Sequence, residues 1–145
     1  MTRNFKGIWL YGLSGSGKTF LSKKILKQVK KGFIIDGDKV RELISYDLNY
    51  GRVDRIKQNK RVLGIARLVI KNGYFPIVSS VYLDPKIFLK IKMNKIKVFN
   101  VIAPKEKINK KIFNRKNVVG KTIKQPKLSS EVFVNNFKKK IKIKW

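Results

Sequence analysis

Short apolar runs alternate along this chain with segments whose apolar residues recur at helical spacing. The runs that we assign to buried strands are 7–11, 33–35, 75–81, 98–102 and 131–134. The segments between them place apolar residues three and four positions apart, which predicts helices. Strands that alternate with helices build a parallel sheet covered on both faces. The pattern therefore predicts one three-layer α/β domain over residues 1–145, with a mostly parallel five-stranded sheet.

The same pattern predicts where the first two helices begin and end. Gly32 is expected to close the first helix, because glycine is common just past a helix C-terminus. The second helix is expected from Lys39 to Tyr46, with Asp38 as its cap, because aspartate accepts hydrogen bonds from the first free N–H groups of a helix. Its inward residues would be Val40, Leu43 and Ile44.

The longest helix is expected from about Val53 to Asn72, ended by Asn72-Gly73. Its apolar face would consist of Val53, Ile56, Leu63, Ala66 and Ile70. Asp84-Pro85 predicts the start of a further helix through Ile91. A lysine-rich helix is expected from Pro104 toward Arg115, and residues 136–145 form a basic tail.

A glycine-rich segment between the first strand and the first helix carries the clearest chemical signal. It reads Gly12-Leu13-Ser14-Gly15-Ser16-Gly17-Lys18-Thr19 and fits the pattern Gly-x4-Gly-Lys-[Ser/Thr]. In such a loop, backbone N–H groups and the helix N-terminus hold a polyphosphate. Lys18 would reach the terminal phosphates, and the Thr19 hydroxyl would bind Mg²⁺. We therefore predict a nucleoside-triphosphate site at residues 12–19, the phosphate loop.

Two carboxylates, Asp36 and Asp38, follow the second strand. Functional groups of parallel sheets lie at the carboxyl ends of the strands. The chain contains no histidine and no cysteine, so a carboxylate, lysine, tyrosine or water must carry any proton transfer. Because Asp38 can serve as a helix cap, we expect Asp36 to be the stronger catalytic candidate and a Mg²⁺ ligand. The third strand brings Ser79, Ser80 and Tyr82 to the same edge.

The net charge of +28 permits two interpretations. It could form a nucleic-acid-binding surface, or it could be compositional drift toward lysine, isoleucine and asparagine, as AT-rich codons produce. The lysines are spread along the whole chain rather than clustered with stacking aromatic residues, so drift is favoured and nucleic acid is an unlikely partner. No signal-peptide pattern or membrane-spanning apolar run occurs, which predicts a cytoplasmic protein without a membrane partner.

These segments together resemble the adenylylsulfate kinase family. The phosphate loop matches that family in sequence as well as type, and Asp36-Gly37-Asp38-Lys39-Val40-Arg41 is similar to its Asp-Gly-Asp-Asn-Val-Arg segment. Asp54-Arg55 resembles its Asp-Arg-x-x-Asn helix. The segments 117–120 and 133–136 are similar to its C-terminal segments. The phosphate loop alone is shared with many nucleotide kinases, whereas the combination is specific.

The resemblance implies a kinase that uses MgATP to phosphorylate the 3′-hydroxyl of adenosine 5′-phosphosulfate. It implies catalytic roles for Lys18, Asp36 and Asp38. Arg41 and Arg55 would bind the phosphosulfate group, and Tyr50 would stack on the substrate adenine. The substrate site would also include Asp38, Gln58, Asn59, Val81 and Tyr82, and Val118 to Thr122 would lie near the ATP adenine.

The chain departs from the family pattern at three places. Gln58, followed by Asn59, stands where the family has asparagine, and Tyr82 stands where it has serine. The lid segment Arg-Asp-x-Lys-Gly-Leu-Tyr is missing, and only Lys105 to Lys116 takes its place. Two alternatives therefore remain: a small kinase for another anionic hydroxyl compound, such as a nucleotide or sugar derivative, or a nucleotide-dependent nucleic-acid-binding module. A homodimer is also possible.

Overall fold

The computed structural model describes residues 4–103, 119 and 123–135. Five strands form one parallel sheet in the order β2-β3-β1-β4-β5. The strands are β1 Gly7–Tyr11, β2 Gly32–Asp36, β3 Phe75–Ser80, β4 Ile96–Ile102 and β5 Glu131–Val134. The helices are α1 Lys18–Leu26, α2 Gly37–Leu43, α3 Arg52–Lys71 and α4 Pro85–Met93. The predicted α/β fold and its five strands are confirmed.

The central strand β1 is buried on both faces. Trp9 and Tyr11 pack into a core shared with α3 and α4, whereas Ile8 and Leu10 pack with Leu21 of α1 on the opposite face. Side chains alternate across a strand, so helices on both sides require apolar residues at every position. This is why the strand is a continuous apolar run in the sequence.

The expectation that Gly32 closes the first helix is wrong. Helix α1 ends at Leu26, and Gly32 is the first residue of β2. The residue with positive φ in this turn is Lys31, at 54°. A Cβ on Gly32 would lie 2.7 Å from Leu26 Cδ1 and 2.8 Å from Val29 Cγ2. Close packing therefore accounts for glycine at this position.

The inward face predicted for α2 is also wrong in part. Only Val40 of α2 is buried, while Leu43 and Ile44 are 69% and 49% exposed. A helix of seven residues has fewer than two turns, so few of its positions can face the sheet. In α3, Val53 in the first turn is exposed, whereas Val62, which we did not assign, is buried. Leu63 and Ala66 are buried as predicted.

The predicted ends of α3 and α4 are close to those observed. Gly73 has φ 81° just after α3, and Asp84 caps α4 by accepting hydrogen bonds from the backbone N–H groups of Lys86 and Ile87. Helix α4 continues to Met93, two residues beyond the expected end. The predicted helix after Pro104 and the basic tail at 136–145 lie outside the described residues, so a single domain over 1–145 stays a prediction.

Candidate active site

The phosphate loop connects the end of β1 to the start of α1. Gly15 and Gly17 have φ of 85° and 88°, the left-handed region that side chains other than glycine rarely adopt. At Gly12 the constraint is space, because a Cβ there would collide with the Val101 carbonyl oxygen of β4. The loop therefore has the glycines it needs to turn tightly at the edge of the sheet. It lies at the carboxyl ends of the strands, as predicted.

Lys18 is folded back onto this loop. Its Nζ donates hydrogen bonds to the carbonyl oxygens of Gly12, at 2.7 Å, and Leu13, at 3.0 Å. Burial lowers the pKa of Lys18 to about 8, although the nearby charges of Asp38 and Asp36 raise it. A buried ammonium group without a full counter-charge gains strongly from a phosphate ligand. The geometry thus suits Lys18 to a polyphosphate.

Asp36 has the capping role that we expected of Asp38. Helix α2 begins at Gly37, and Asp36 is its cap, with Oδ1 accepting a hydrogen bond of 3.0 Å from the Asp38 backbone N–H. The prediction that Asp38 caps a helix starting at Lys39 is therefore wrong. Asp38 lies in the first turn of α2 and borders the cavity. The structural argument that favoured Asp36 over Asp38 as the catalytic group no longer holds.

Arg41, Arg55 and Tyr50 form a cluster opposite the phosphate loop. The Arg41 guanidinium carbon lies 4.3 Å from the centroid of the Tyr50 ring, and that of Arg55 lies 5.5 Å away. Both side chains also hold the turn before α3, because Arg41 Nη1 donates to the Asn49 carbonyl oxygen and Arg55 Nε to the Tyr50 carbonyl oxygen. Tyr50 is 53% exposed, so its ring remains accessible.

The electrostatics of this cluster favour an anion. Burial, and next the Arg41 charge, lower the pKa of Arg55 to about 10. Burial also lowers the pKa of Arg41. Both guanidinium groups remain charged at neutral pH, so two cations are held close together and partly away from water. An anionic group bound between them would relieve this repulsion.

Gln58 and Asn59 are buried rather than displayed on a solvated face. Gln58 Nε2 donates a hydrogen bond of 3.1 Å to the Gly37 carbonyl oxygen, and this ties α3 to α2. Asn59 Nδ2 donates to the Tyr82 carbonyl oxygen at 3.0 Å, while its Oδ1 accepts from the Asp84 N–H at 2.9 Å. Both polar atoms of Asn59 therefore hold the segment after β3, and its contact with a substrate stays a prediction.

One cavity of ≈ 1030 Å³ joins the phosphate loop to the arginine cluster. It is bordered by Leu13, Ser14, Gly15, Gly17, Lys18 and Thr19 of the loop and by both carboxylates. The predicted substrate residues that border it are Asp38, Arg41, Tyr50, Arg55, Gln58, Asn59, Val81 and Tyr82. Gly12 and Ser16, the other two residues of the loop, do not border this cavity. Val118 and Thr122 lie outside the described residues, but Val119 between them borders the cavity.

Comparisons with known proteins agree with this geometry. The model of the adenylylsulphate kinase family matches residues 5–83, just over half of the chain. The chain belongs to this family. A probable adenylyl-sulfate kinase of Pyrococcus abyssi is 38% identical over 76 residues, which cover 50% of this chain and 44% of that protein. The chain spans less than half the length of the first curated relatives that it matches.

Solved structures show the same fold. The Mycobacterium tuberculosis APS kinase CysC, solved in complex with AMPPNP and APS, has a TM-score of 0.77 at 16% identity and covers 93% of this chain and 91% of its own. A sugar kinase from Janibacter sp. has a TM-score of 0.62 at 12% identity and covers 90% of this chain and 84% of its own. At these identities the likeness establishes the fold alone, which kinases with different acceptors share.

Several residues that border the cavity were not assigned from the sequence. Glu42, Ser45, Tyr46, Leu48 and Val62 border the cavity without having been predicted to do so. Among the described residues, Ser16 Oγ, Ser45 Oγ and Gln58 Oε1 are buried without a hydrogen-bond partner, and the last two belong to residues that border the cavity. Unpaired polar atoms in a cavity wall are costly unless a ligand or water binds them. Nothing in the sequence indicates that a serine just past a helix end, such as Ser45, will be buried in a cavity wall.

The described residues fit Mg²⁺ held partly by substrate phosphates. Mg²⁺ usually binds one or two protein oxygens and completes its shell with phosphate and water. Thr19 and Asp36 border both the main cavity and an adjoining one of ≈ 210 Å³, and Asp38 is close by. In the part of the chain that the structure describes, no group of three or more acidic, histidine or cysteine side chains could enclose a metal by itself.

Lys18 should make nucleotide affinity depend on pH. Below its pKa of about 8, Nζ is charged and attracts phosphate, whereas above this pKa the free protein must take up a proton to bind phosphate. We expect ATP affinity to fall as pH rises from about 7 to about 10, with proton uptake measurable by titration calorimetry. Lys18→Arg is the control, because arginine stays charged over this range. A wild-type curve as flat as that of Lys18→Arg would contradict this assignment.

Proposed function

We propose that this chain transfers the γ-phosphoryl group of MgATP to the 3′-hydroxyl of adenosine 5′-phosphosulfate, giving 3′-phosphoadenylyl sulfate. The observation that carries this proposal is the single cavity that joins the phosphate loop to Arg41, Arg55 and Tyr50. A kinase needs its donor and acceptor sites in one water-excluding space, with the reacting atoms in line. Membership of the adenylylsulphate kinase family supports the same acceptor.

The cluster of two arginines and a tyrosine suits an anionic, aromatic acceptor. Guanidinium groups donate several hydrogen bonds in a fixed plane, which matches the oxygens of phosphate and sulfate. The half-exposed Tyr50 ring offers a face on which an adenine could stack. The unpaired Ser45 hydroxyl and Gln58 Oε1 could bind hydroxyl or amino groups of the same ligand. Each chemical part of adenosine 5′-phosphosulfate therefore has a complementary group in the cavity.

The proposed reaction is a direct displacement. The acceptor hydroxyl oxygen bonds to the γ-phosphorus as the bond from that phosphorus to the β–γ bridging oxygen breaks, and ADP leaves. The hydroxyl proton passes to a carboxylate. Asp38 is the better candidate, because it borders the cavity while Asp36 already caps α2 with one carboxylate oxygen. Lys18 offsets the charge on the phosphates. Mg²⁺, held by Thr19 and Asp36, would neutralise charge on the β- and γ-phosphates.

The decisive experiment is a phosphate-transfer assay with a panel of acceptors. Purified protein is incubated with MgATP and adenosine 5′-phosphosulfate, with nucleosides and nucleotides, or with sugar derivatives. We expect turnover with adenosine 5′-phosphosulfate to exceed that with every other acceptor. Preference for another acceptor would favour the second candidate, a kinase for a different anionic hydroxyl compound. Tyr82 is the observation that favours this second candidate. Its buried ring borders the cavity at a position where the family pattern has the smaller serine.

The dependence on salt concentration distinguishes a nucleic-acid-binding role for the +28 charge from the proposed kinase activity. Binding that neutralises many phosphates weakens steeply and log-linearly as salt rises. A small anionic ligand in this cavity makes few such contacts, so its binding is much less sensitive to salt. We expect transfer activity to change little over a range of salt that would abolish nucleic-acid binding.

Arg55 should affect the acceptor much more than ATP. Arg55→Ala removes a charge from the acceptor cluster but leaves the phosphate loop intact, so we expect the acceptor KM to rise by about tenfold or more while the ATP KM stays within about twofold. Arg67→Ala is the matched control, because Arg67 is an exposed arginine on the same helix. Equal effects on both substrates would argue against the assignment of this cluster to the acceptor.

Location and assembly remain predictions. None of the helices in the described ranges is long and apolar enough to cross a bilayer. We propose a cytoplasmic enzyme that functions as a homodimer. Sedimentation equilibrium of the purified chain tests the assembly, and a monomer at working concentrations would contradict it.

A further inference from the structure

Asn135, just past the end of β5, contacts the phosphate loop from behind. Its Nδ2 donates hydrogen bonds to the Ser16 carbonyl oxygen, at 3.0 Å, and the Gly17 carbonyl oxygen, at 3.2 Å. Asn135 is fully buried. It lies 118 residues from Gly17 in the sequence and beyond residues 5–83, to which the family model matches. No role assigned so far to the site uses this side chain.

These two hydrogen bonds constrain the direction of the loop peptides. In a trans peptide unit the C=O and the N–H point in opposite directions. A carbonyl of Ser16 held toward Asn135 therefore turns the Gly17 N–H away from it, and a carbonyl of Gly17 held there turns the Lys18 N–H away. Gly17 and Lys18 border the cavity. The direction of these two carbonyl groups therefore determines whether the Gly17 and Lys18 N–H groups face a bound phosphate.

Asn135 is itself held firmly. Its backbone N–H donates a hydrogen bond of 2.7 Å to the Ile102 carbonyl oxygen at the end of β4. Strand β5 pairs in parallel with β4, and β4 pairs with β1, which leads directly into the loop. The amide is therefore fixed to the same sheet edge as the loop that it contacts. A donor anchored in this way can hold two flexible glycine-rich peptides in one orientation.

We infer that Asn135 is a positioning residue for nucleotide binding, which fixes the Ser16 and Gly17 carbonyls so that the Gly17 and Lys18 N–H groups face the phosphates. The Gly17 carbonyl oxygen also accepts a hydrogen bond of 2.9 Å from the Leu21 N–H of α1, so the Ser16 carbonyl depends most on Asn135. Gly17, with its positive φ, leaves the peptide between Ser16 and Gly17 able to rotate. With the amide removed, the Ser16 carbonyl oxygen could turn toward the phosphates and repel them. The inference rests on the phosphate loop and is independent of which acceptor the enzyme uses.

The test compares Asn135→Ala and Asn135→Asp with the wild type by measuring MgATP affinity. Asn135→Ala removes both donors, and Asn135→Asp keeps the shape but sets a carboxylate against two carbonyl oxygens. We expect the Kd for MgATP, and that for inorganic triphosphate, to rise by about tenfold in Asn135→Ala and by more in Asn135→Asp. Affinity of Asn135→Asp relative to wild type should recover as pH falls, because a protonated carboxyl can again donate to a carbonyl.

Two controls separate positioning from stability. Ile91→Ala truncates a fully buried side chain of α4 and should lower the melting temperature without changing the Kd of the folded protein. Asn94→Asp alters an amide that donates to the Lys90 carbonyl on the same helix and should leave the Kd unchanged. Wild-type affinity in folded Asn135→Ala and Asn135→Asp would overturn the inference. Should neither variant fold, rapid exchange of the Asn135 side-chain amide protons in the wild-type MgATP complex would overturn it instead.

Discussion

Lys18→Ala is expected to abolish phosphate transfer while leaving the protein folded. Lys18 lines the cavity, so water there can replace its hydrogen bonds to the Gly12 and Leu13 carbonyls. In the reaction, however, a cation on the terminal phosphates offsets charge that moves to the leaving group. We expect kcat to fall by about 10³-fold or more, measured by a coupled assay for ADP, with the circular dichroism spectrum unchanged.

Lys27→Ala provides the matched control for this variant. Lys27 caps the other end of α1, is exposed and borders neither cavity. Its loss removes the same formal charge from the same helix and should leave kcat within about twofold of wild type. Comparable losses in both variants would point to the overall positive field of the protein rather than to a phosphate contact by Lys18. Wild-type turnover in Lys18→Ala would refute the phosphate-loop assignment.

Asp36→Asn and Asp38→Asn are expected to lower turnover for different reasons. Asparagine is as good a helix cap as aspartate, so Asp36→Asn should keep the hydrogen bond to the Asp38 N–H while removing the charge. We expect its kcat to fall by about 10²-fold or more and to recover partly at high Mg²⁺. Asp38→Asn should lose about 10²-fold or more without recovery, because no added metal can replace a proton acceptor.

The measurement is kcat against Mg²⁺ concentration, with ATP binding followed separately. Binding should stay measurable in both variants, since the phosphate loop is unchanged. Glu42→Gln is the control, because Glu42 is an acidic residue of α2 that borders the same cavity but pairs with exposed Lys39 at 3.0 Å. A near-normal rate in Asp36→Asn would reduce Asp36 to a cap, and a near-normal rate in Asp38→Asn would assign the proton to Asp36.

Local sequence patterns were sufficient for the fold and for the position of the phosphate loop. The central strand β1 is buried on both faces and is a continuous apolar run. The phosphate loop needs glycine, lysine and threonine at fixed spacing in one segment. Such signals are contained within a few neighbouring residues, so no tertiary information is needed to find them. The arginines were assigned through a family resemblance, and the structure places Arg41 and Arg55 on one aromatic ring.

The sequence alone determined the α/β fold, the order of its strands along the chain and the position of the phosphate loop. Only the tertiary structure decided which of two neighbouring aspartates caps α2, that both polar atoms of Asn59 hold the backbone after β3, and that Asn135 contacts the loop. The contacts of Asn59 and Asn135 join residues 23 to 119 positions apart in the sequence. The cap of α2 depends on one hydrogen bond that either aspartate could have accepted. No local periodicity encodes them, because they depend on where the parallel strands end relative to one another.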